Sequence, residues 1–293
     1  MSTPQPGILA PVPGHARYLE FGAIPGADHA AVLRDLASLA IDEEMVVGLG
    51  AGLVQGLGQT IAPLRGFPAL SGPGCEVPST QADLWCWLRG VDRGRLTHLG
   101  RSFMQRVRPA FRCDRVVDGF KYDTGLDLSG YEDGTENPVG ENAVAVAISG
   151  PAAPSPEGSS FVAVQQWRHD LDRFAALDQD TRDNIIGRRL SDNEELDGAP
   201  EWAHVKRTAQ ESFDPEAFVL RRSMPWADAG GEGLMFVAFG TSLDAYEAQM
   251  RRMAGLEDGI VDGLFRFSRP LSGSYFWCPP VADNTLDLTA LGL

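Results

Sequence analysis

Apolar residues recur in two successive series with the same order of periodicities, one in each half of the chain. Residues 16–24 carry Tyr18, Leu19, Phe21 and Ile24 and stop at Pro25, which predicts a strand. Over 28–40, Val32, Leu33, Leu36 and Leu39 fall at helical spacing. Met45–Leu49 predicts a second strand, closed by glycines. Leu84–Leu88 is apolar at every position, so it predicts a central strand buried on both faces. A helix over about 93–107 follows, with Leu96, Leu99, Phe103 and Val107 on one stripe, and then a strand over Phe111–Phe120.

The second half repeats that order without repeating the sequence. Phe161–Trp167 reads as a strand, 178–187 as a helix, Ala217–Leu220 as extended and Leu234–Phe239 as a strong strand. Leu243, Tyr246, Met250 and Met253 align on a helix over Ser242–Met253, and Gly273–Cys278 is a last strand before two prolines. Two β-α-β-β-α-β units predict an α+β protein of two ferredoxin-like halves, with antiparallel sheets and helices on one face. The predicted domains are 1–125 and 161–293, joined by a connecting segment over 126–160 in which Asn142–Ser149 alternates as a short strand.

Composition narrows the function. The chain has 293 residues, 43% hydrophobic and 22% charged, as in a globular protein. A net charge of −15 repels phosphate backbones and sets nucleic-acid binding aside. The four cysteines form no C-x-x-C pair, which argues against a thiolate zinc site. No apolar run approaches the roughly 20 residues of a membrane helix. Residues 1–13 lack a basic, apolar leader, so a cytoplasmic protein is expected. The glycines at 48, 50, 52, 56 and 58 fit neither nucleotide-loop pattern. Ser191–Gly198 lacks the ligand spacing of a calcium loop and reads as surface.

Histidine is scarce, and no pair stands at metal spacing. A single histidine such as His204 can still serve as the axial ligand of haem iron, because the porphyrin supplies four other ligands. By itself, Gly130–Pro138, with Glu132, Asp133 and Glu136, is an acidic turn. Arg221 and Arg222 end an extended run as a surface charge cluster, or as an arginine aimed at an anion.

Taken together these segments resemble the dye-decolorizing peroxidases. Gly130-Tyr-Glu-Asp-Gly134, continued by Thr-Glu-Asn-Pro, is similar to the family's G-x-x-D-G signature. Gly7–Pro11, Ser160–Leu171, Ile185–Arg188 and Phe265–Pro280 resemble other family segments, and the length is similar to that of the bacterial B-type branch. The resemblance implies one haem b in the C-terminal half. It implies a peroxidase that reduces hydrogen peroxide through a ferryl intermediate and oxidises dyes, phenolics or other small reductants. By resemblance Asp133 is the distal acid, Arg221 the distal arginine and His204 the proximal iron ligand. Asp262 is then the acid bonded to that histidine, Arg188 a propionate partner, and Phe239 a ring over the distal haem face. Ser223 stands where many members carry asparagine. His169 is expected to be structural.

In that mechanism Asp133 shuttles the peroxide proton, and Arg221 stabilises developing charge and lowers the Asp133 pKa. Trp167, Trp202, Trp226 and Tyr246 are candidate radical sites, each with core packing as the plainer reading. The resemblance also implies a homo-oligomer. The encapsulin-docking tail of some relatives is not expected, since Leu286–Leu293 is short and lacks a basic end. Two other functions compete: a haem carrier or haem-iron-releasing protein of the same fold, and a cofactor-free interaction module. A haem spectrum followed by peroxide titration separates the three.

Overall fold

Each half of the chain folds into a four-stranded antiparallel sheet, and the two sheets close on one another. The computed structural model describes residues 2–293. The first half contains β1 (His15–Ala23), α1 (His29–Leu36), β2 (Met45–Leu49), β3 (Leu84–Gly90), α2 (Arg93–Val107) and β4 (Phe111–Phe120). After α3 (Gly140–Ala147), the second half supplies β5 (Ser160–His169), α4 (Gln179–Ile186), α5 (His204–Arg207), β6 (Leu220–Arg221) and β7 (Met224–Asp228). It ends with β8 (Gly231–Gly240), α6 (Asp244–Met253), β9 (Ser268–Pro270) and β10 (Ser274–Cys278).

The first sheet runs β2-β3-β1-β4 and the second β7-β8-β5-β10. Single pairings, Gly119 with Trp226 and Leu49 with Trp277, join them into a closed ring. β6 and β7 are two pieces of one interrupted strand, since both pair with β8. The α+β, doubled ferredoxin-like architecture is the one expected.

Closure creates two apolar compartments. In β3, Trp85 and Trp87 point into the ring, while Leu84, Cys86 and Leu88 point out to the helices. This is why that strand is apolar throughout. Residues of β8 obey the same parity: Met235, Val237 and Phe239 face the interior, and Leu234, Phe236 and Ala238 face the helix side.

One expected element differs. The alternating run Asn142–Ser149 contains α3, not a strand. A closed ring offers no free edge at which another strand could pair. A helix instead buries Ala143 and Ala147, four apart on one face, and leaves Val144 exposed.

Candidate active site

The site lies on the helix side of the second sheet, where strand parity aims side chains outward. In β6, Leu220 pairs with Phe239 inside the ring, and its neighbour Arg221 pairs with Ala238 on the outer face. Trp167 on β5 stands opposite Leu234, and Gln165 opposite Phe236. Two adjoining pockets of about 620 and 590 Å³ meet at His204, Asp133 and Arg221. The first is walled by apolar groups, among them Leu234, Phe236, Met250 and Met253. The second is more polar and includes Arg188 and Thr135.

His204 opens α5, just after the fully buried Ala203. Gly187, in the turn that ends α4, has φ 93° and lies so close to Val205, beside His204, that a Cβ would stand 2.3 Å from its Cγ2. Asp262 accepts from His204 Nδ1 with Oδ2 at 2.8 Å. Its other oxygen accepts the Leu264 N–H at 2.8 Å, capping the helical turn Gly263–Arg266. Both carboxylate oxygens of this buried acid are therefore held, and with them the plane of the imidazole.

Across the cavity, the loop 130–138 is tied down at several points. Tyr131 donates to Asp183 Oδ1 at 2.5 Å. The Asn137 side chain accepts from Arg221 N and donates to Arg221 O, both at 2.8 Å. Asp133 Oδ1 then stands 3.7 Å from Arg221 Nη1, a charge contact too long for a hydrogen bond. Burial pushes the Asp133 carboxyl above its ordinary range, outweighing the guanidinium that pulls it down; Asp127 adds to the rise. Arg221 lowers this pKa, as expected, but desolvation is the larger effect and the net shift is upward.

The remaining predicted residues separate. Arg188 lines the polar pocket with its guanidinium 2.6 Å from Glu136 and 3.6 Å from Glu195. Ser223 lies in the break between β6 and β7, where its hydroxyl accepts weakly from Val237 N at 3.4 Å. It faces a third pocket, of about 750 Å³, that reaches Asp133 and Arg221 from another direction. Phe239 does not reach the cavity. It is fully buried inside the ring, with ring centroids 6.5 and 6.2 Å from Trp85 and Trp87. The ring that β8 presents to the cavity is Phe236, one parity step away.

His169 is bonded to Ser268 Oγ at 2.7 Å and Asp127 Oδ1 at 3.1 Å, in the cavity wall. Of the radical candidates, Trp167 and Tyr246 line the cavity and Trp226 packs inside the ring. Trp202 is partly exposed beneath Arg266. Asn137 was missed in the sequence because Asn-Pro is a plain turn former. The Met250–Met253 stripe was visible, but only as packing.

Among the described residues, no three His, Cys, Asp or Glu side chains group around a metal-sized point. His204 Nδ1 is committed to Asp262, which leaves Nε2 as its free nitrogen. An apolar pocket with Arg188 and Arg221 at its polar end would suit a flat, acid-bearing macrocycle that carries its own metal ligands. These features define an apolar cavity in which one histidine, held by a buried acid, faces an acid–arginine pair.

The comparisons with known proteins agree. The family described as "Dyp-type peroxidase, C-terminal" matches residues 124–283. A dye-decolorizing peroxidase of Rhodococcus erythropolis is 30% identical, over 94% of this chain and 86% of the relative. One of Mycobacterium tuberculosis is 30% identical, over 95% and 89%. Among solved structures, a dye-decolorizing protein from V. cholerae superposes with TM-score 0.86 at 25% identity, covering 98% of both chains. A variant of DypB from Rhodococcus jostii RHA1, in complex with heme, gives 0.86 at 27% identity, over 94% of this chain and 95% of that one. The chain belongs to the Dyp-type, dye-decolorizing peroxidase family, and it is a peroxidase.

Proposed function

We propose that this chain binds haem b through His204, reduces hydrogen peroxide at the face lined by Asp133 and Arg221, and takes electrons from dyes, phenolics and similar small reductants. One observation carries the assignment: the ring of His204, fixed by Asp262 at 2.8 Å, opens onto a cavity that also holds the acid–arginine pair. When bound, haem supplies an iron that coordinates peroxide and takes up its oxidising equivalents.

The protein moves the proton. Asp133, when ionised, accepts the proton of the peroxide oxygen nearer the metal and delivers it to the outer oxygen, which leaves as water. Its raised pKa makes this step fastest above the usual carboxylate range. Arg221 offsets the negative charge that builds as the O–O bond breaks. Asn137 keeps the acid and the arginine in register through the Arg221 backbone. Asp262 draws on the Nδ1 proton of His204 and makes Nε2 a stronger donor. Arg188 is placed to pair with a propionate in exchange for its Glu136 contact. Ser223 offers a hydroxyl in the outer pocket through which peroxide reaches Asp133. Phe236, rather than Phe239, packs on the macrocycle from β8.

A cytoplasmic site of action suits the four free cysteines. No helix among the described residues is long and apolar enough to cross a membrane. The test is haemin titration of the purified chain, followed by peroxide and a phenolic reductant. The wild type gains a Soret band and turns over, while His204→Ala loses the axial-ligand spectrum. A wild type that binds haem but leaves the reductant unoxidised would refute the peroxidase reading.

A further inference from the structure

A further pocket, of about 870 Å³, opens at the surface where β5 ends, between the start of the short helix Leu171–Ala175 and the segment Phe265–Arg269. Four arginines line it: Arg168, Arg173, Arg266 and Arg269. All four are exposed. Arg168 and Arg269 sit directly opposite one another in the antiparallel pair of β5 and β9. Like charges at directly opposed cross-strand positions destabilise a sheet. Among the described residues neither has a carboxylate within ion-pairing distance, whereas most arginines of this chain do.

Three carboxylates also line the pocket, Asp170, Asp172 and Glu232. Asp170 is engaged in capping the short helix through the Arg173 N–H at 2.9 Å. Four cations against three anions leave this pocket net positive on a chain whose net charge is −15. A field of that sign, with two arginines paired across adjacent strands in one pocket, fits a planar anion. Phe265 and Phe267 line the same pocket and supply aromatic faces beside the cations.

The pocket borders the haem cavity. His169 and Ser268 belong to both walls, joined to each other at 2.7 Å. Phe265 packs against Trp167 with centroids 5.4 Å apart, and Trp167 lines the haem cavity. One layer of side chains therefore separates a molecule in the basic pocket from the cofactor site.

We propose that this pocket docks an anionic aromatic reductant, a phenol carrying a carboxylate or sulfonate, outside the haem cavity. Arg168 and Arg269 hold the anion, and the phenol gives up its electron across the shared wall. This rests on the peroxidase reading above. Each docked phenol loses one electron and its hydroxyl proton and leaves as a phenoxyl radical. Two such phenols and one hydrogen peroxide give two phenoxyl radicals and two waters.

The test uses the haem-loaded protein and two probes with the same ring: syringate, which carries a carboxylate, and syringol, which does not. Calorimetric titration without peroxide measures docking, and steady-state oxidation with peroxide measures use. The double variant R168E/R269E should weaken syringate binding and raise its KM by about tenfold, the scale of two partly exposed charge contacts. Syringol oxidation should stay within about twofold, because neither arginine touches the haem cavity. The neutral pair R168Q/R269Q, the safer variant for folding, should fall between. Sulfate at the ionic strength of a chloride control should compete no better than chloride. Equal effects on both phenols, unchanged syringate binding, or sulfate binding as tight as syringate each overturn the proposal. Loss of syringol oxidation by the wild type would instead refute the peroxidase reading.

Discussion

Asn137→Ala isolates what holds the acid and the arginine together. The side chain makes two hydrogen bonds, one to each backbone polar group of Arg221, both at 2.8 Å and 84 residues away in sequence. A net hydrogen bond contributes about 0.5–1.5 kcal/mol, so removing both costs about 1–3 kcal/mol. Arg221 also loses its tether to the loop that carries Asp133, and among the described residues no other hydrogen bond joins those two segments: the side chains themselves are 3.7 Å apart. A misplacement of about 1 Å at reacting groups can cost on the order of a hundredfold in rate. Stopped-flow mixing of the haem-loaded variant with peroxide should therefore show the first spectral change slowed by about 10- to 100-fold. The Soret band and the KM for a phenolic reductant should remain, because His204 and the apolar wall are untouched. Asn137→Asp keeps an acceptor for Arg221 N and should recover part of the rate. A wild-type rate in the alanine variant, or a loss of rate matched by loss of haem, would refute the clamp.

Three further outcomes follow from the geometry. In Arg221→Leu the cation that opposes burial at Asp133 is gone, so the carboxyl pKa rises further. The acid limb of the pH–rate profile for the peroxide step should move to higher pH, and a limb that stays put or moves down contradicts the pairing. Asp262→Asn replaces the charged acceptor of His204 Nδ1 with a neutral one, so the imidazole donates less to the iron and the midpoint potential should rise in a redox titration; an unchanged or lower potential counts against it. Gly187→Ala forces a side chain into a positive-φ position and against Val205. It should cost at least about 1–3 kcal/mol in chemical denaturation and loosen haem retention beside His204, and equal melting with equal retention would dismiss the role given to that turn.

The sequence carried the periodicities of both halves well, because each strand buries one face on the helices and the other inside a ring. Where the two faces compete, the family resemblance misplaced one ring. Phe239 and Phe236 stand three positions apart on one apolar strand, both aromatic, and only the pairing of Leu220 with Phe239 and of Arg221 with Ala238 decides which side each serves. An odd shift in that register would exchange the haem-cavity wall for the ring interior. The alternation of Asn142–Ser149 misled for a related reason, since strand pairing needs a free edge and ring closure leaves none. His204, Asp133 and Arg221, picked out through family resemblance, line one cavity, but their electrostatics were not legible in the sequence. The mechanism implied by the resemblance has Arg221 lower the Asp133 pKa, and it does. Burial, which depends on how the loop 130–138 seats against the cavity, is the stronger influence. Part of that seating is set by Tyr131 on Asp183 and Asn137 on the Arg221 backbone. The position of the acid thus rests in part on two residues of its own loop that carry no catalytic signature.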